Sequence, residues 1–360
     1  MSSPYEHLES RAFWRSAVGE RAALDPGDLY RPKFKIPHTA RITTAGSCFA
    51  QHVGRSLTNA GARVIDDEAL PLSIPDKEAQ RFGYRLYSAR YGNIYTTRQL
   101  LQLHQEAHGE FVPADPIWER DGRYFDAIRP SVEPKGLESP ETVQRHRQTH
   151  LASVRKVFKA ANVIVFTFGL TETWEHAASG TIYPTAPGTI AGTFDPDVFR
   201  FKNLGFNEVK NDFLEFRNRV QAQNPNVKFV VTVSPVPLTA TASGQHVEVA
   251  TIYSKSVLRS VCGELYDEFD DIEYFPSFEI ITSTNNRGAY FENNKRSVSA
   301  KGVETAMNMF LSAHGFSAAN DVVRAQPKAK PPTKKGPTPA TSANPADVVC
   351  EDELLEAFAK

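Results

Sequence analysis

The stretch ARITTAGSCFAQHVGRSLTNAGARVID, residues 40–66, decides the fold. Its β-branched and apolar start, residues 40–45, predicts a strand that ends in a tight Gly-Ser turn. The apolar spacing of residues 48–60 predicts an amphipathic helix that stops at Gly61, and residues 62–66 predict a second strand. The sequence therefore opens with a βαβ unit.

Later segments repeat this alternation. Residues 161–169 and 227–235 are continuous apolar runs bounded by Gly or Pro, which is typical of strands buried on both faces. Helical patterns precede them at residues 144–161 and 207–223. We therefore expect an α/β fold with a parallel sheet in flavodoxin-like order and helices on both faces.

Two stretches interrupt the alternation. Residues 67–141 hold short apolar runs among aromatic, Gly and Pro residues, and residues 173–206 are rich in Gly, Thr and Pro. Both are predicted to be loop insertions over the functional edge of the sheet. Such loops would wall a pocket.

The C-terminal part has a different composition. Residues 1–320 are predicted to form the α/β domain, and residues 321–346 a disordered linker rich in Pro and Lys. Residues 347–360 return to amphipathic helical spacing, which predicts either a segment that docks on this chain or a protein partner, or a frayed tail. Its apolar positions are Val348, Leu354, Leu355 and Phe358.

Composition excludes several classes of function. The 41 basic and 42 acidic residues nearly cancel, so no strong field favours nucleic acid. No segment has the uninterrupted apolar length that a membrane span needs. Charged residues in the N-terminal stretch interrupt what would be the hydrophobic region of a signal peptide. Three cysteines without metal-ligand spacing fit a reducing compartment. We expect a cytoplasmic protein that needs no cofactor or metal.

Ser47 follows the first strand and begins the first helix. In an open parallel sheet this is the carboxyl edge, where ligands bind and helix amides can stabilise negative charge. A serine there can attack a carbonyl group. The alternative is that Ser47 only caps the helix.

Several motifs in one order resemble the GSCFA family, which is itself similar to the SGNH/GDSL hydrolases. The first, GSCFAQHVGRSL, contains the five residues that give the family its name. The resemblance covers residues 5–315. The other motifs are YGNIYTTRQLLQL (91–103), FTFGLTETW (166–174), VTVSPVPLTATASGQHVEVATIYSKSVLR (231–259) and YFPSFEII (274–281).

The resemblance implies a role for four of these positions. Ser47 would be the nucleophile, and the backbone N–H groups of Ser47 and Gly92 would donate to the oxyanion, with Asn93 beside Gly92. In the third block, Thr171 stands where SGNH enzymes usually carry an asparagine, and its hydroxyl can donate one hydrogen bond.

The fourth block departs from the SGNH pattern. At the usual Asp-x-x-His positions the chain carries Asn294 and Ser297, and neither side chain is a general base near neutral pH. His246, in the loop after a predicted strand, is the preferred base because that loop opens on the edge of Ser47. His52 lies about 140° around the helix from Ser47, which argues against direct contact. Either histidine could instead be structural.

Other side chains are weaker candidates. Glu172 and Glu279 could orient the histidine or bind substrate hydroxyls, or could be satisfied by backbone. Cys48, paired with His52, is an alternative nucleophile, although a buried, inert thiol is favoured. Lys255 and Arg259, four apart on a helix, could bind an anion but are typical of a solvated face. Aromatic stacking on sugars is a further possibility for Trp14, Trp118 and Trp174.

Two functions are consistent with these features. The first is a serine-dependent ester hydrolase or O-acyltransferase, acting through an acyl-Ser47 intermediate on a carbohydrate or glycoconjugate. The second is a non-catalytic SGNH-like binding or scaffold protein, consistent with the altered third and fourth blocks.

Overall fold

The computed structural model describes residues 3–70, 73–316 and 351–359, without the side chains of residues 351–353. Within these ranges the strands are β1 Arg41–Gly46, β2 Arg63–Val64, β3 Ile117–Arg120, β4 Arg123–Asp126, β5 Val163–Phe168, β6 Glu172–His176, β7 Ile182–Tyr183, β8 Phe199–Asn203, β9 Lys228–Val233 and β10 Ile272–Tyr274.

The α-helices of the described residues alternate with these strands. They are α1 Phe49–Asn59, α2 Asp76–Arg81, α3 Thr97–Ala107, α4 Pro140–Ala160, α5 Phe206–Gln223, α6 Val247–Glu268, α7 Ser277–Thr282 and α8 Ala300–His314. Short 3-10 helices occur at Ser10–Ala12, Thr284–Asn286 and Glu351–Phe358, and a π-helix at Arg15–Gly19.

A five-stranded parallel sheet forms the centre of the molecule. Its spatial order is β10-β9-β5-β1-β2, and every neighbouring pair is parallel. Numbered by position in the chain, this order is 2-1-3-4-5, the flavodoxin-like arrangement. The predicted fold class is therefore confirmed.

Alternating side chains of the central strands build a core on each face of the sheet. All six residues of β5 are buried. Ile164, Phe166 and Phe168 pack on one face, with helices α3 to α6. Val163 and Val165 pack on the other face, with helices α1, α7 and α8. The continuous apolar run seen in the sequence follows from this coverage of both faces.

The two predicted insertions are more ordered than the sequence indicated. Residues 173–206, expected to be long loops, contain most of an antiparallel sheet in the order β7-β6-β8. Residues 67–141 contain α2, α3 and the β3–β4 hairpin. Both stretches are insertions between elements of the central fold, as predicted, but they are not only loops, because their short, interrupted apolar runs gain strand and helix structure by packing on the main domain.

The C-terminal predictions are covered only in part. Residues 321–346, the predicted linker, lie outside the described residues. The terminal segment is described from residue 351 and is a 3-10 helix over Glu351–Phe358. Across the described ranges, no helix is both long and apolar enough to cross a membrane.

Candidate functional site

Ser47 lies at the carboxyl edge of the central sheet, where β1 ends and α1 begins. The preceding Gly46 has a φ of +137°, a conformation that favours glycine, and an added Cβ would come within 2.5 Å of the Thr167 carbonyl oxygen. The Ser47 N–H donates to that oxygen at 3.2 Å. This amide, expected to donate to an oxyanion, is therefore already bonded within the protein.

The Ser47 hydroxyl has no hydrogen-bond partner and is buried. Helix α1 starts without a side-chain cap, because the position before Phe49 is Cys48 in helical conformation. The alternative that Ser47 caps the helix is therefore wrong. A buried hydroxyl without a partner is uncommon and typically marks strain or function.

Gly169 packs directly on the Ser47 side chain. A Cβ added at Gly169 would lie 2.7 Å from the Ser47 Cβ, 3.3 Å from its Oγ and 3.0 Å from the Tyr95 carbonyl oxygen. Only a residue without a side chain fits this space. The Tyr95 oxygen also accepts hydrogen bonds from the N–H groups of Gly169, at 3.1 Å, and Leu170, at 3.0 Å.

Helix α6 holds the turn at Gly169–Thr171 through two side-chain hydrogen bonds. Lys255 is buried and donates from Nζ to the Gly169 oxygen at 2.7 Å. Ser254 accepts a hydrogen bond from the Thr171 N–H at 3.0 Å. Arg259, one turn later, pairs with Glu279 and stacks on Tyr274. The solvated-face alternative is therefore wrong for Lys255, whose side chain is buried at the sheet edge, whereas the Arg259 side chain is 40% exposed.

The segment containing Gly92 and Asn93 runs beside the end of β1. The Ile94 N–H donates to the Gly46 oxygen at 2.9 Å, and Gly92 has a φ of +69°. The Asn93 Oδ1 accepts hydrogen bonds from Gln51 Nε2, at 3.2 Å, and from the Tyr87 hydroxyl. That hydroxyl also lies 3.2 Å from the Ser47 carbonyl oxygen. The fold thus brings Gly92 and Asn93 to the edge where Ser47 lies, as the motif order predicted.

Thr171 and Glu172 lie on the same edge. Thr171 is fully buried, and its hydroxyl, like that of Ser47, has no partner. Burial raises the pKa of the Glu172 carboxyl, while the Thr241 hydroxyl, which donates to Oε1 at 2.8 Å, acts in the opposite direction. Glu172 is therefore held by a side chain of the loop after β9.

A pocket of about 180 Å³ opens beside these residues. Tyr95, Leu170 and Glu172 form the part nearest to Gly169. Its other walls come from β6 to β8 and the loop after β9, and they are mostly apolar: Trp174, Pro184, Phe201 and Leu238 are among them. One further lining residue, Leu355, belongs to the C-terminal segment.

The structure does not pair Ser47 with a histidine. His246 is exposed and caps α6, its Nδ1 accepting the Glu248 N–H at 3.2 Å. His52 packs edge to face on Phe49, and burial together with the nearby Arg55 lowers its pKa to about 4. In the described state the predicted contact between Ser47 and His246 is therefore not formed, because the imidazole serves as a helix cap.

The remaining candidates have structural contacts. Asn294 donates to the Ser297 hydroxyl at 2.9 Å and accepts from its N–H, so the fourth block forms a turn before α8. Cys48 is buried, in line with the favoured inert thiol. Glu279 contacts Arg259 and, at 2.7 Å, the Tyr274 hydroxyl.

The three tryptophans differ in exposure. Trp14 is mostly exposed, and Trp118 is buried and stacks on Tyr183. Only Trp174 lines the pocket, packed edge to face on Phe194 and Phe201. Of the three, Trp174 is therefore placed to contact a ligand at this edge.

Comparison with known families identifies the family of the chain. The model of the GSCFA family matches residues 41–310, which include all five strands of the central sheet and the residues around Ser47. The chain belongs to the GSCFA family. Searches of curated proteins and of solved structures returned no match.

Sequence reasoning did not place three residues that shape the site, although it named Lys255 as a possible anion ligand and Leu355 as an apolar position of a segment that could dock on the chain. Tyr95 links the pocket to Gly169, Lys255 fixes the Gly169 carbonyl, and Leu355 borders the pocket. A helix-face pattern cannot show that a lysine turns inward to a carbonyl. No local signal connects Leu355 to the sheet edge either, since the contact spans most of the chain.

Proposed function

We propose that this protein is a serine-dependent hydrolase or O-acyltransferase of esters, and that Ser47 forms the acyl intermediate. One observation carries the proposal. The Ser47 and Thr171 hydroxyls are buried without a partner at the carboxyl edge of the sheet, where Gly169 packs on the Ser47 side chain. Hydroxyls left unpaired at a ligand-binding edge are available to a substrate carbonyl.

In this proposal the Ser47 Oγ attacks the carbonyl carbon of the ester, and its proton passes to the base. The carbonyl double bond opens to an oxyanion, which the Gly92 N–H and the Thr171 hydroxyl stabilise. When the oxyanion collapses, the ester C–O bond breaks, and the leaving alcohol takes the proton. Water or a second hydroxyl then attacks the acyl carbon and gives its proton to the base. The bond from the acyl carbon to Ser47 Oγ breaks, and the base returns the proton to Oγ, which completes hydrolysis or transfer. Asn93, fixed by Gln51 and Tyr87, positions Gly92.

His246 is the proposed base. It ends the loop after β9, and other residues of that loop, including Leu238 and Thr241, line the pocket with Glu172. To reach Ser47 the imidazole must leave its contact with the Glu248 N–H, so catalysis requires a movement of this loop. Glu172 would then orient the imidazole or bind a substrate hydroxyl. A carbohydrate or glycoconjugate as the substrate is supported only by the resemblance to SGNH enzymes.

A second function is supported by the burial of Ser47. Its hydroxyl is enclosed and has no base beside it, as expected if the SGNH-like site is retained only to bind a ligand. In that case the pocket beside Trp174 would bind a glycan or small ligand without any covalent step.

A serine-directed fluorophosphonate separates the two functions. We expect the folded wild type and Cys48→Ala, the neighbouring control, to be labelled, and Ser47→Ala to remain unlabelled. His246→Ala should slow labelling by about 10²–10⁴-fold, the usual contribution of a general base. Folded wild type that resists labelling near neutral and alkaline pH would favour the binding function. Labelling of Ser47→Ala that a further Cys48→Ala change abolishes would identify the thiol as nucleophile.

A further inference from the structure

The pocket beside Gly169 is bordered by a residue from the far end of the chain. Leu355 lines it together with residues of β6, β8 and the loop after β9. Its neighbours Leu354 and Phe358 are 50% and 67% exposed. Among the apolar side chains described in this segment, Leu355 is therefore the one directed to the pocket.

The 3-10 helix of this segment is not expected to be stable without contacts to the rest of the chain. Glu351–Phe358 is an eight-residue 3-10 helix, whereas such helices rarely exceed three or four residues without support. The segment EDELLEAF is half acidic, and its larger apolar side chains other than Leu355 are exposed. The contact of Leu355 with the pocket is the visible source of support for the helix.

The covered pocket adjoins the candidate nucleophile. Tyr95 and Leu170 line the pocket, and both are joined by backbone hydrogen bonds to the turn at Gly169, whose Cα packs on the Ser47 side chain. Ser47 does not line the pocket itself, but only the turn at Gly169 separates its side chain from the lining residues Tyr95 and Leu170. A residue that closes this pocket restricts the approach to Ser47 from that side.

We propose that the C-terminal segment Glu351–Phe358 is an autoinhibitory cover, and that Leu355 closes the pocket which a ligand must enter to reach Ser47. That the closed state is inhibited rests on the proposed function. The contact of the segment with the pocket does not depend on it. Because a single partly buried leucine is a weak anchor, a ligand with an apolar group can displace it. The segment is covalently attached, so the contact should persist on dilution.

The test compares two variants of the full chain, Leu355→Asp and the adjacent Leu354→Asp, which adds the same charge at an exposed position. An aspartate at 355 would bring a second carboxylate to an apolar pocket that already holds Glu172, so the cover should open. Both proteins carry Trp14→Phe, which removes an exposed indole and leaves the buried Trp118 and the pocket residue Trp174.

Two readouts keep the cover separate from the chemistry. Acrylamide quenching of tryptophan fluorescence should rise, with a red shift, in Leu355→Asp but not in Leu354→Asp. Fluorophosphonate labelling of Ser47 should accelerate about three- to tenfold in Leu355→Asp alone, as expected when one leucine contact holds the closed state. Complete absence of labelling, with the quenching difference intact, would reject the serine chemistry and retain the cover.

Two results would overturn the cover. The first is equal quenching in folded Leu355→Asp and Leu354→Asp, with circular dichroism showing that both variants are folded. The second is a wild-type dimer, seen by analytical ultracentrifugation, that Leu355→Asp dissociates, because Leu355 would then act on a second copy of the chain.

Discussion

The molecule contains two buried polar regions that are built in opposite ways. The first is a cluster of ion pairs between the β3–β4 hairpin, α3 and α4, where nearly every charged atom has a partner. The second is the Ser47 edge, where buried hydroxyls lack one. The residues of the ion-pair cluster are Glu68, Glu106, Asp126, Arg129, Arg147 and His150.

In the ion-pair cluster, opposite charges outweigh burial. Burial alone would raise the pKa of the Asp126 carboxyl, but Arg147 and Arg129 lower it to about 2. Burial likewise acts to raise the pKa of Glu68, and the hydrogen bond from His150 helps to lower it to about 2. Burial lowers the pKa of His150 to about 4, so this imidazole is neutral near pH 7. We place its single N–H proton on Nδ1, which donates a hydrogen bond to the Glu68 carboxylate.

At the Ser47 edge the protein fixes the backbone and leaves the hydroxyls unpaired. Lys255 donates to the Gly169 oxygen, and Ser254 accepts from the Thr171 N–H. The Ser47 and Thr171 hydroxyls, by contrast, have no partner. In the ion-pair cluster the charged groups are thus paired within the chain, although His150 Nε2 is buried without a partner. At the Ser47 edge the backbone is held in place and the hydroxyls are left unpaired, which is typical of strained or functional positions.

The largest effect is expected in the ion-pair cluster. Arg147→Met should lower the free energy of unfolding by about 3–5 kcal/mol, because Asp126 and Glu106 lose a buried partner. Urea unfolding would measure the loss. The matched control is Arg81→Met, at an exposed pair with Glu78, where the loss should stay below about 1 kcal/mol. Similar losses in the two variants would refute the structural role of the cluster.

Acid should weaken the same cluster by a comparable amount. The pKa values of Asp126 and Glu68, about 2 in the folded chain, lie below their ordinary values of 3.8 and 4.5. Their contribution is therefore fully present above about pH 4.5 and lost as the pH falls towards 2, by about 2–3 kcal/mol for each group. The measurement is urea unfolding at a series of pH values. A stability that stays constant from pH 5 to about pH 3 would contradict the assigned pKa directions.

The smallest expected change in stability compares two buried serines, one with a hydrogen-bond partner and one without. Ser254→Ala should cost about 1–3 kcal/mol, because the Thr171 N–H is left unsatisfied. Ser47→Ala should leave the stability unchanged or raise it slightly, since its hydroxyl bonds nothing. Thermal unfolding of the two variants provides the comparison. A loss at Ser47 as large as that at Ser254 would mean that the Ser47 hydroxyl has a structural partner in solution.

The central sheet and its helices could be predicted from local patterns in the sequence. Apolar runs such as residues 161–169 identify strands buried on both faces, and the alternation of strands with helices implies parallel order. The position of Ser47 after the first strand also predicted its place at the carboxyl edge, whereas the places of Gly92 and Thr171 beside it were implied only by the family resemblance. The strands and helices could be predicted because each depends on the spacing of apolar residues within a short stretch of sequence.

The tertiary structure alone decided which side chains meet at that edge. It turned Lys255 inward to the Gly169 oxygen, assigned His246 to a helix cap and placed Leu355 at the pocket. It also folded residues 173–206 into an antiparallel sheet. Such contacts join residues far apart in the chain, and their free energy comes from packing that no local periodicity encodes.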